Sequence, residues 1–75
     1  MVAISALLQL AACDAKDKEA AGYQDGYAAT VNTTCNFRAT LVGGDWDNAA
    51  YAKGYSKGSN AGALAVAQRG CDSLR

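Results

Sequence analysis

Thiols are the most reactive groups in this 75-residue chain: Cys13, Cys35 and Cys71, with no histidine to accompany them. Gaps of 22 and 36 residues are unlike the close-set pairs that hold zinc, so no metal site is expected. Nucleophilic or acid–base catalysis needs a poised base, and histidine, the commonest one, is missing. The chain therefore reads as a non-enzyme with no cofactor and no small-molecule substrate. Seven basic and seven acidic residues give no net charge, which leaves no electrostatic footprint for nucleic acid. What remains for the thiols is to pair with one another or to carry an added group.

The other informative side chains are aromatic. Tyr23, Tyr27, Tyr51 and Tyr55, with Trp46, form the candidate interaction set, because such rings dominate contact energetics. Four of them belong to an internal repeat. AAGYQDGYAA at 20–29 and AAYAKGYSKG at 49–58 share the pattern Tyr-x-x-Gly-Tyr. Glycines keep a four-residue period at Gly22 and Gly26, and again at Gly54, Gly58 and Gly62. On a helix that period draws a nearly straight smooth strip. Each interior glycine costs a helix about 1 kcal/mol relative to alanine, roughly 5 kcal/mol for five, and close backbone approach between helices would offset it. The strip resembles the helices of the deca-GX3 family, in which glycine recurs at every fourth residue beside tyrosine. That resemblance implies closely packed glycine-faced helices and no particular function.

These residues must be positioned by helices. Half of the residues are apolar, with alanine the commonest of them, and with no proline no helix is interrupted by one. Residues 1–12 carry no charge and form an apolar, signal-like segment, too short to span a bilayer as a helix. The remainder, 13–75, reads as one helical domain. A first helix is expected over about 14–34, capped by Asp14 and fading at the β-branched and Asn-rich stretch after Val31. Gly43-Gly44 breaks the chain, and Asp45 offers a cap for a helix over 46–58. A third piece, 59–71, either continues that helix or restarts after Gly58. The expectation is an all-α fold, a small helical hairpin or a three-helix fold, with closely packed Gly/Ala/Tyr helices stapled by one disulfide.

Leu10-Ala11-Ala12-Cys13, at the end of the apolar run, resembles the lipobox of small bacterial lipoproteins. The resemblance implies that Cys13 is lipidated, that residues 1–12 are removed and that the domain sits in the cell envelope, on its periplasmic or surface side. The sequence departs from the pattern in one respect, since no basic residue precedes Lys16. The alternative is that residues 1–12 are retained as a buried apolar segment inside a larger particle.

Cysteine pairing follows from the same choice. With Cys13 lipidated, Cys35 and Cys71 remain to bond in an oxidising compartment. In a long antiparallel hairpin those two lie about 37 Å apart, whereas a disulfide needs Cα atoms within about 7 Å. On that geometry Cys35–Cys71 requires a break at Gly58, and an unbroken second helix brings Cys71 to Cys13 instead. The functional expectation is a non-enzymatic, lipid-anchored module that works by contact with an envelope protein or with copies of itself, of the kind phages and plasmids encode. Its rival is a structural subunit of a virion or secretion apparatus.

Overall fold

The computed structural model describes the backbone from Val2 to Arg75 and the side chains from Ala15 onward. Two helices account for most of it: α1, Val2–Cys35, and α2, Ala49–Arg69, followed by a short 3-10 helix, Cys71–Leu74. There are two main helices rather than three. α2 runs through Gly58 without a break, because the second glycine row is the face it buries, with Gly54, Gly58 and Gly62 all enclosed.

α1 likewise starts earlier than a cap at Asp14 would allow, and its helix is continuous from Val2 through Cys13. Its end follows from local chemistry. Asn36 takes the left-handed conformation, φ 57°, that asparagine tolerates better than most residues. The Asn36 amide donates to the Thr33 carbonyl (3.3 Å) and the Phe37 amide to the Asn32 carbonyl (3.0 Å), which satisfies two of the last carbonyls of α1 in a Schellman arrangement.

Residues 36–48 then travel back along the pair, and the consequence decides the topology. Their far end lies beside α1, where Lys18 meets Asp45 at 3.0 Å. Returning from Cys35 to the level of Lys18 is a climb of about 25 Å, and ten extended residues reach up to about 33 Å. α2 therefore starts near Lys18 and runs in the same direction as α1. Successive contacts show it: Gly54 sits against Glu19, Gly58 against Tyr23 and Gly62 against Tyr27. The helices form a parallel pair, not an antiparallel hairpin. For the described residues, contacts from α2 and the linker reach up α1 as far as Lys18. The earlier turns of α1, including the one that carries Cys13, continue the helix for about 24 Å before Lys18.

Parallel packing also resolves the cysteine geometry. Both helices end at the same end of the molecule, so Cys35 and Cys71 meet with Cα atoms 5.5 Å apart and are bonded while α2 stays unbroken. The alternative pair, Cys13 with Cys71, is excluded because Cys71 is already bonded to Cys35. Gly70, at φ 77°, makes the sharp exit from α2 that turns Cys71 toward α1.

α2 is capped not by Asp45 but by Asn48, whose side-chain oxygen accepts from the Tyr51 amide at 3.1 Å. Asp45 is drawn off into the turn before it, where its carbonyl accepts from the Asn48 amide. Asn48→Ala is expected to lower stability by about 1 kcal/mol, the usual worth of an N-cap side chain, as read by urea unfolding. An unchanged midpoint would refute the assignment.

Candidate functional site

The contact between α1 and α2 is made of backbone. Gly22 and Gly26 face the carbonyls of Tyr51 and Tyr55, while Gly54 and Gly58 face those of Glu19 and Tyr23. Each glycine hydrogen that stands in place of a side chain points at a carbonyl oxygen of the other helix, the arrangement of Cα–H···O contacts. A β-carbon at any of these four would collide with that oxygen and approach further main-chain atoms at 2.7–3.0 Å. Gly62 is looser, with a β-carbon position 3.0 Å from the Tyr27 carbonyl and 3.3 Å from Thr30 Cβ. Across the same seam the hydroxyls of Thr30 and Ser59 share a hydrogen bond of 2.6 Å.

Little conventional core surrounds that seam. Among the described residues only Val31 and Tyr51 are buried apolar side chains, so the glycine rows do most of the packing. The aromatic set is divided by this arrangement. Tyr51 is 3% exposed, Tyr27 and Tyr55 are half-buried, and Tyr23 and Trp46 remain 41% and 54% exposed. Trp46 stands edge-on to Tyr51 and Tyr55, with ring centroids 5.2 and 4.8 Å away, and so roofs the seam on the linker side. Gly44 lets the linker pass, since a β-carbon there would run into the Trp46 ring. Tyr23 lines a shallow groove of about 480 Å³ with Lys16, Glu19, Ala20 and Gln24.

The Tyr51 hydroxyl donates to Asp25 Oδ2 at 2.6 Å. Burial chiefly, and then this bond to a carboxylate, push its pKa up to about 12. A raised acid pKa stabilises the fold while the phenol is neutral. That contribution is complete below the ordinary tyrosine value near 10 and is lost as pH rises through about 12. Unfolding free energy is expected to fall across that window, with the decline reduced in Tyr51→Phe. The same slope in both proteins would contradict the assignment.

At the surface Lys57 donates to Glu19 at 2.9 Å, and this hydrogen bond holds the Glu19 carboxyl below its ordinary value. The pair is exposed and supplies register more than stability.

Chemically, the arrangement offers contact surfaces. The described residues contain no group of three His, Cys, Asp or Glu side chains placed to hold a metal, and no helix long and apolar enough to cross a membrane. The expected lipidation site, Cys13, lies outside the residues whose side chains are described. Sequence reasoning overlooked the groove at the disulfide end, about 620 Å³, lined by Asn32, Phe37, Arg38, Leu74 and Arg75 among others. Its arginines stand far apart in sequence and are brought together at the end where Cys35 and Cys71 are bonded. Compared with family models, curated proteins and solved structures, the chain matches none of them.

Proposed function

We propose that this protein is a non-enzymatic, lipid-anchored module of the cell envelope that acts by protein contact and is tethered through Cys13. The observation that carries this reading is the division of the three cysteines. Cys35 and Cys71 form a disulfide, as in proteins of oxidising compartments, which leaves over the one cysteine that follows an apolar run and a lipobox-like Leu10-Ala11-Ala12. Its position also suits a tether, on α1 before the first described contact with α2 and the linker, at Lys18. Lipid on Cys13, about one helical turn before Lys18, would place the bilayer at the end of the pair where α2 begins. Stable anchoring by acyl chains takes more than one chain, which the multiply acylated cysteine of lipoproteins supplies.

A second reading is supported by the continuity of α1 from Val2 through Cys13, with no interruption at the expected cleavage point. In that reading residues 1–12 are retained as a buried apolar segment within a virion, secretion apparatus or filament, against envelope-type partners or copies of the chain itself. Intact mass of the protein isolated from a bacterial host separates the two. Loss of residues 1–12 together with added acyl mass, abolished by Cys13→Ser, is the expected result. A full-length chain without acyl mass, recovered in a large particle, would replace the first reading by the second.

A further inference from the structure

The chain is neutral as a whole but not along its length. Arg38, Arg69 and Arg75, all of its arginines, gather at the disulfide end, where Asp72 is the only acid. The lysines Lys16, Lys18, Lys53 and Lys57 lie toward the other end, among Asp14, Asp17, Glu19, Asp25, Asp45 and Asp47. One end thus has two more bases than acids, and the other two more acids than bases. Part of this has a structural cause. Parallel helices align their dipoles, so acids suit the end where α2 begins and a cation suits the end where both helices stop. Arg69, in the last turn of α2, is accounted for in this way.

Arg38 and Arg75 are not. Both lie beyond the two main helices and line the 620 Å³ groove. Arg38 makes no ion pair among the described residues, and Arg75 only a loose one of 3.9 Å with the fully exposed Asp72. Arg75 is held over the Phe37 ring, 5.6 Å from its centroid, which steadies a side chain that would otherwise be mobile. With the arginines the groove is lined by apolar surface from Phe37 and Leu74 and by Asn36 and Asn32, whose side-chain nitrogen donates to Thr40.

We infer that this groove is a docking site for an acidic segment of a partner protein. Planar guanidiniums match carboxylates in a two-pronged way that lysines do not. The apolar lining from Phe37 and Leu74 and the side-chain amides suit the stem and backbone of a peptide better than they suit a bare ion. The site does not depend on the Cys13 anchor and stands whether or not the chain is lipidated.

The test uses the full chain with its disulfide intact and a fluorescent, end-capped oligoglutamate peptide, read by anisotropy. Saturable binding is expected, weakened about tenfold when both Arg38→Gln and Arg75→Gln are made. Lys16→Gln with Lys53→Gln, an equal change of charge outside the groove, should leave affinity within about twofold. Arg38→Lys with Arg75→Lys keeps the charge and the fold but removes the fork, and should weaken binding severalfold. Failure of the native chain to bind, equal losses from the arginine and lysine pairs, or full binding by the Arg→Lys pair would overturn the site. Arginine-dependent binding to phosphatidylglycerol vesicles in preference to the peptide would overturn the choice of partner.

Discussion

Gly58→Ala is expected to destabilise the protein by about 2 kcal/mol, although alanine is the better helix former. Propensity alone predicts a gain of about 1 kcal/mol for removing an interior glycine. Against it stands the Tyr23 carbonyl, which the new methyl group would strike, with the Tyr23 carbonyl carbon 2.7 Å away. Backbone cannot rotate aside as a side chain can, so the helices must separate along their whole seam, and overpacking of this kind costs about 1–3 kcal/mol or more. Gly54→Ala, against Glu19, should behave alike. Gly62→Ala meets Tyr27 and Thr30 at 3.0 and 3.3 Å, and there the propensity gain should nearly cancel a small shift. Gly43→Ala has open space around it and should be neutral or slightly stabilising through the unfolded chain. Urea midpoints of the four variants give the comparison. A gain at Gly58 like that of an ordinary helical glycine would remove the basis for close packing.

Loss of the disulfide is the second large effect. Its closed loop spans a sequence separation of 36 residues, for which the chain-entropy estimate is about 3 to 4 kcal/mol. A domain of this length has a total of only about 4 to 11 kcal/mol, and this one has few buried apolar side chains with which to make up a deficit. Cys35→Ser with Cys71→Ser is therefore expected to lower the thermal midpoint by well over ten degrees, at about 4–8 °C for each kcal/mol in a domain of this size. The C-terminal turns of α2 should fray first, because the bond ties that end of the pair. Retention of the native midpoint in the double variant would mean that the glycine seam holds the end closed by itself.

What was legible in the sequence was mainly local. The four-residue glycine period identified the packing face at all five positions, because a smooth strip on a helix has few other uses. The end of α1 was readable to within a residue from Val31, Asn32, Thr33 and Thr34, whereas the left-handed turn at Asn36 was seen only in the structure. The start of α2 was misread because Asp45 and Asn48 are both competent caps, and only the Lys18 contact shows why Asp45 is engaged elsewhere.

The direction of α2 was harder. Gly43-Gly44 suggests a reversal, and a reversal after a helix suggests an antiparallel neighbour, whereas the linker uses its length to climb back. A signal was nonetheless present. Cys35 follows Gly26 by nine positions and Cys71 follows Gly62 by nine, so glycine row and cysteine come in the same order at the same spacing in both segments. Two strips that face each other and also share a terminal disulfide satisfy that order only when they run in parallel. The arginine end escaped notice for a related reason: Arg38 and Arg75 are 37 positions apart and meet only once Cys35 is known to bond Cys71.

Parallel packing underlies the seam, the disulfide and the groove together, and a distance between exposed sites on the two helices tests it most directly. Spin labels at Thr33 and Ala67, both exposed, are convenient. With α1 and α2 parallel the labelled backbones lie about 10 Å apart, one helix spacing with little offset along the axis. In an antiparallel pair the same positions fall at opposite ends, separated by about 25 Å or more. Pulsed electron resonance on the oxidised, full-length protein should give the short distance as a single narrow population, and a distribution centred on the long one would contradict the account.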